Sequence, residues 1–173
     1  GENSLQQAII GMAQIYVGTN NINLLVPNGQ FGSRIQGGND SSSPRYIYTL
    51  LSQLTKLIFR EDDSCVLNYL EEDGLTIEPE YYVPIIPMIL VNGGVGIGTG
   101  FSTNIPQFNP EEIIDCCINI CNSINIKNES DINNVNNIID NLTINEFAPY
   151  YLGFTGKIQK NDKLQYEGSY TGG

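Results

Sequence analysis

The chain has 173 residues, 40% of them hydrophobic and 16% charged, which is enough for one good core or two small units of a globular protein. No apolar run approaches the ~20 residues of a membrane-spanning helix, and the start of the chain does not read as a signal peptide. The net charge of −11, taken at face value, argues against nucleic-acid binding, and the lack of histidine excludes Ser-His-Asp and Cys-His catalytic devices within the chain. The charge is unevenly spread. Residues 30–60 hold Arg34, Arg45, Lys56 and Arg60 against Asp40 alone; residues 61–80 hold eight acids and no base; residues 81–110 hold no charge at all. A basic patch on an acidic protein is therefore compatible with the composition.

In chain order, residues 4–17 place Leu5, Ala8, Ile9, Met12, Ile15 and Tyr16 at helical spacing, with Ser4 as cap and Gly18 as stop. A Gly-rich polar loop spans Asn28 to Ser43, Tyr46 to Leu50 has strand composition, and Ser52 to Phe59 suits a helix with Leu54, Leu57 and Ile58 on one face. The acidic stretch from Glu61 to Glu80 is expected to be solvated surface. Pro84 and Pro87 forbid a regular helix, Met88 to Val91 suits a buried strand, and the five glycines from Gly93 to Gly100 suit a tight backbone loop. Asn109, Pro110, Glu111 and Glu112 mark a helix start, with an apolar face of Ile113, Ile114, Cys117, Ile118 and Cys121. Residues 122–145 form an Asn-rich, low-complexity insert, and residues 150–170 suggest short strands.

Four cysteines without a C-x-x-C pair or any histidine read as reduced, half-buried thiols in an intracellular protein rather than a zinc site. The glycine loop fails the G-x-G-x-x-G spacing and lacks a following G-K-[ST], so it is no dinucleotide or P-loop site. It can present Ile97 at a tip, or Ile97 can pack inward. The loop from Gly29 to Tyr46 offers small residues, hydroxyls and backbone N–H groups suited to phosphate, and places an arginine beside a tyrosine. A phenolate can attack a phosphodiester while a guanidinium neutralises the oxygens. A core tyrosine beside a solvated arginine is the bland alternative.

GQFGSRIQGGNDSSSPRY resembles the segment around the active-site tyrosine of eukaryotic type II DNA topoisomerases, EPEYYVPIIPMILVNGGVGIGTGFSTNIPQFNP resembles a stretch of the same family further downstream, and the opening GENSL and NNINLLVPNG are also similar to that family. The resemblance is dense over residues 1–110, thins through 111–145 and resumes weakly at 149–156. It implies an α+β chain: a winged-helix-like domain over 1–58, then part of an α/β tower domain over 59–173. It implies that Tyr46 attacks a DNA phosphate and holds the 5′ end, that Arg45 stabilises the transition state, and that Ile97 wedges into a base step. Gln30, Ser33, Arg34 and Ser43 would lie along the DNA backbone. It further implies an ATP-dependent, nuclear, homodimeric enzyme passing one duplex through another. Mg²⁺ and ATP would be bound outside this chain, and the metal-binding module would come from the partner protomer. On this reading the chain is a piece of a larger protein, inactive alone, with double-stranded DNA as partner, no membrane and no metal of its own. The rival readings are a non-catalytic DNA-bending domain and a bacterial-type gyrase A subunit.

Overall fold

A computed structural model describes residues 1–123, 146–160 and 166–169 of the chain. The chain divides into two compact units, Gly1–Met88 and Ile89–Gly173. Among the described residues the architecture is short helices with small antiparallel two-stranded sheets.

The first unit opens with helix α1, Glu2–Ala13, capped at Gly1 rather than at Ser4. It stops five residues before Gly18, because Asn20 turns its side-chain amide onto the carbonyls of Gly11 and Gln14, at 2.7 and 2.9 Å. Those are orphan acceptors of a helix end, and satisfying them there terminates the helix. Ile15 and Tyr16 consequently lie outside it, and Leu5 and Met12, expected on its apolar face, are exposed. Ile10 and Ala13 are buried, and with Phe31 they form the core of this unit, against which Leu25 and Ile47 pack.

The strand expected from Tyr46 to Leu50 is absent. Pro44–Tyr46 is instead a 3-10 turn, since the Tyr46 and Ile47 N–H groups bond back to the Ser43 and Pro44 carbonyls. Extended backbone begins only at Ile47, and it pairs as the isolated bridges Asn28↔Tyr48 and Leu25↔Leu51. Helix α2, Gln53–Ile58, starts where expected, with the Ser52 hydroxyl accepting from Thr55 N–H at 3.3 Å. Its inward face is Thr55 and Ile58; Leu54 and Leu57 are exposed. Thr55 is buried because its hydroxyl donates to the Leu24 carbonyl at 2.6 Å.

The acidic stretch is solvated, and it also has structure: a 3-10 turn at Glu61–Cys65, then a hairpin of β1, Tyr69–Glu72, and β2, Leu75–Pro79. Asp73 and Gly74 form its turn with φ of 51° and 77°, the left-handed pair that a two-residue hairpin turn demands.

In the second part of the chain, Met88–Val91 is a single helical turn, α3, rather than a strand. A four-residue apolar run has no periodicity to separate the two states, and Val91 is fully buried in the turn. Strands β3, Gly94–Gly98, and β4, Phe101–Ile105, replace the expected irregular glycine loop with a regular hairpin. Helix α4, Pro110–Ser123, begins as its sequence dictates, with the Asn109 side chain accepting from Glu111 N–H at 3.0 Å. It runs through the first two residues of the Asn-rich insert; residues 124–145 lie outside the described residues. Of its apolar face only Ile113 is buried. Strands β5, Lys157–Lys160, and β6, Tyr166–Ser169, pair antiparallel, as the composition of this stretch suggested.

Candidate nucleic-acid interface

The polar loop before Tyr46 is held from beneath. Phe31 buries its ring against Ile10 and Ala13, and the Gln14 amide donates to the Phe31 carbonyl at 2.9 Å. Gly38, at φ 84°, passes so close to α1's end that a Cβ there would meet the Tyr16 hydroxyl at 2.7 Å and Gln14 Nε2 at 2.8 Å. The left-handed backbone favours glycine there, and any side chain would also have to push the Tyr16 and Gln14 tips aside.

Asp40 closes the loop. One carboxylate oxygen accepts from the Ser33 backbone N–H at 2.7 Å, the other from Gln30 Nε2 at 3.0 Å. The Ser33 N–H is the main cause that holds the Asp40 carboxyl below the ordinary aspartate value. Backbone bonds from Gly38 N–H to the Ser33 carbonyl and from Ser42 N–H to the Gln30 carbonyl, both 2.9 Å, complete the closure. Residue-by-residue reading overlooked Asp40. The signal was present: an aspartate among glycines and serines is the residue type that captures nearby backbone N–H groups.

From this pinned loop the 3-10 turn projects Arg45 and Tyr46. Ile47, packed on the core, anchors the far side. Tyr46 is 66% exposed, so the core-tyrosine alternative fails. Exposure alone does not select it, since Tyr48, Tyr81 and Tyr82 are about as open. What distinguishes Tyr46 is Arg45, whose guanidinium carbon lies 4.8 Å from the ring centroid. Of the other expected residues, Gln30 and Ser33 are joined through Asp40, and Ser43 caps the turn by accepting the Tyr46 N–H. Arg34 is exposed, and its backbone carbonyl accepts from Gly37 N–H.

Ile97 belongs to the second unit. It sits in β3 opposite Ser102, one residue pair from the hairpin turn, and is 90% exposed. The inward-packing alternative is thereby excluded.

The described residues offer no group of three His, Cys, Asp or Glu side chains able to hold a metal ion. The cysteines are free thiols; Cys65 and Cys121 are exposed rather than half-buried, and burial, with Cys116 and Cys121 nearby, pushes the Cys117 thiol up. No helix among the described residues is long and apolar enough to cross a membrane.

A family model for the A subunits of DNA gyrase/topoisomerase IV matches residues 1–172. The chain is 49% identical over 171 residues to DNA topoisomerase 2 of Arabidopsis thaliana, covering 99% of this chain and 10% of that protein. It is 46% identical to DNA topoisomerase 2 of Saccharomyces cerevisiae, covering 96% of this chain and 10% of that protein. A crystal structure of the Plasmodium falciparum topoisomerase II DNA-binding, cleavage and re-ligation domain superimposes with a TM-score of 0.79 at 48% identity, covering 97% of this chain and 20% of that one. The chain thus spans about a tenth of the length of these curated relatives.

Proposed function

The chain belongs to the DNA gyrase/topoisomerase IV A-subunit family, the type IIA DNA topoisomerases, and on that premise we propose that it supplies the cleaving nucleophile of an ATP-dependent enzyme of the eukaryotic type. The observation that carries the reading is the exposed Tyr46 ring beneath the Arg45 guanidinium, at the end of a loop fixed by Asp40 and Phe31.

In the proposed step the Tyr46 hydroxyl passes its proton to solvent water, which returns one to the leaving oxygen, and the tyrosine oxygen attacks a DNA phosphorus. The bond from phosphorus to the 3′ oxygen breaks, and that oxygen leaves as a hydroxyl after taking up a proton. Tyr46 is left joined to the 5′ phosphate, and the reverse attack by the 3′ hydroxyl reseals the strand. No bond energy is lost, so religation needs no external energy. Arg45 stabilises the charge that builds on the non-bridging oxygens. Gln30, Ser33, Arg34 and Ser43 line the path of the DNA backbone, and Ile97 enters a base step and bends the duplex. A winged-helix-like domain over 1–58 and the first part of a tower domain over 59–173 belong to the same proposal.

The donor set of the described residues does not make a metal site. Asp40, the one acid near Tyr46 in sequence, is spent on Ser33 and Gln30. Mg²⁺, ATP, a homodimer in which the partner protomer of the full-length enzyme brings the metal-binding module, and a nuclear location are proposed for the whole enzyme, and no step here passes through them. The similarity of 46–49% to eukaryotic enzymes over nearly the whole chain favours this type over the bacterial gyrase type. Tyr46→Phe in the full-length protein tests the reading. Covalent protein–DNA adducts and decatenation are expected to vanish, and their survival refutes the assignment.

A further inference from the structure

Helix α4 carries three of the chain's four cysteines, Cys116, Cys117 and Cys121. At 3.6 residues per turn, Cys121 comes round to within about 40° of Cys117, while Cys116 lies about 100° to the side. Cys117 and Cys121 therefore share a face, in line with Ile113 four residues before Cys117. Burial falls along that row: Ile113 is 2% exposed, Cys117 half-buried and Cys121 exposed, and both cysteines are free thiols. The row is a dithiol that begins on the core and opens to solvent near the end of the helix.

The spacing decides what such a pair can hold. A disulfide needs Cβ atoms ~3.5–4.5 Å apart, and residues four apart on a regular helix hold theirs at ~5–6 Å, so direct oxidation would distort α4. Zinc takes four ligands, and among the described residues no third His, Cys, Asp or Glu side chain completes a set. A soft centre satisfied by two sulfurs fits, because one bridging atom spans the gap that an S–S bond does not. The thiols also act on each other. Burial is the main cause that pushes the Cys117 thiol up, and the neighbouring Cys116 and Cys121 add to it. A ligand that takes both protons away removes the repulsion between two adjacent sulfur charges.

We propose that Cys117 and Cys121 form a binding site for a trivalent arsenical carrying one organic group, whose arsenic bridges the two sulfurs along α4. In the binding step both S–H bonds and the arsenic–oxygen double bond of an R–As=O reagent break and two As–S bonds form. The two protons leave with the oxygen as water, and nothing is oxidised or reduced. Cys116 stands off the shared face and takes no part. Cys65, at the end of the 3-10 turn Glu61–Cys65, is the only cysteine of its unit and does not hold the arsenical. The site is independent of the role proposed for Tyr46.

The test uses the full-length protein with phenylarsine oxide as probe, and N-ethylmaleimide labelling read cysteine by cysteine by peptide mass spectrometry. Cys121, being exposed, is the reporter. Its labelling rate is expected to fall about tenfold or more with the probe bound, and to recover once a competing dithiol has stripped the arsenic and been removed. Cys65 is expected to label as before. Cys117→Ser is expected to abolish the protection of Cys121, and Cys117→Ala, which brings no hydroxyl to the half-buried position, carries the test if the serine variant misfolds. Cys116→Ser is expected to leave the protection intact. Cys121 labelling that ignores the probe overturns the site. So does protection that survives the loss of Cys117, or that disappears with Cys116.

Discussion

The Arg45 guanidinium lies over the ring of Tyr46, its carbon 4.8 Å from the centroid. At an exposed site such a cation–π contact is worth ~0.5–1 kcal/mol, enough to bias the side chains without locking them. The arrangement keeps a permanent cation beside the proposed nucleophile before any DNA arrives.

Arg45→Lys is expected to slow covalent adduct formation in the full-length enzyme about 100-fold, because a point charge does not replace a planar fork of donors at a developing charge. DNA affinity is expected to stay close to the parent's. An unchanged single-turnover cleavage rate removes Arg45 from the chemistry.

Asp40 ties pH to loop order. Its pKa is depressed in the folded chain by the Ser33 N–H, so its contribution to stability is fully present above the unfolded value and is lost as pH falls through the folded one. The Ser33 amide is expected to stay protected from hydrogen exchange through mildly acidic pH and to lose protection below the ordinary aspartate value of 3.8. Asp40→Ala is expected to abolish that protection at every pH; protection that survives the substitution refutes the pinning role.

Gly37 and Gly38 separate two causes of glycine dependence. Both have positive φ, but a Cβ at Gly37 meets nothing within 4 Å, while at Gly38 it meets Tyr16 and Gln14. Gly37→Ala is expected to cost ~1 kcal/mol for the left-handed backbone alone. Gly38→Ala should cost roughly 2–3 kcal/mol, since it also displaces Gln14 from Phe31. Denaturant unfolding decides, and equal losses at the two positions contradict the crowding argument.

Ser52 and Thr55 act as one network, with their hydroxyls 2.9 Å apart and Thr55 bound onward to the Leu24 carbonyl. Ser52→Ala is expected to cost ~1 kcal/mol as a lost helix cap. Combined with Thr55→Val, the losses should fall short of additivity by ~0.5 kcal/mol or more in a double-mutant cycle. Strict additivity would mean that the hydroxyls act independently.

Much of the fold was legible where chemistry is local. Asn109, Pro110 and the two glutamates after them specify the start of α4 within one turn, and Ser52 does the same for α2. The hairpin around Asp73 and Gly74 was also written locally, in a dipeptide suited to its turn, but eight acids over the stretch masked it. Met88–Val91 was not legible, because a short apolar run satisfies helix and strand alike. The end of α1 was not either: Asn20 decides it from outside the helix.

For the candidate interface the sequence by itself determined the cast: an arginine beside a tyrosine after a glycine-rich loop, and an isoleucine among glycines in a stretch without charge. Only the tertiary structure decided that Arg45 stacks on an open Tyr46, that Asp40 binds Ser33 and Gln30, and that Ile97 stands out from a regular hairpin. The division has a physical reason. Caps and tight turns are settled by groups a few bonds apart, whereas exposure and loop closure depend on which distant residues take the inward places. Here Phe31, Ile10 and Ala13 take them, and the face left to Tyr46 is the outer one.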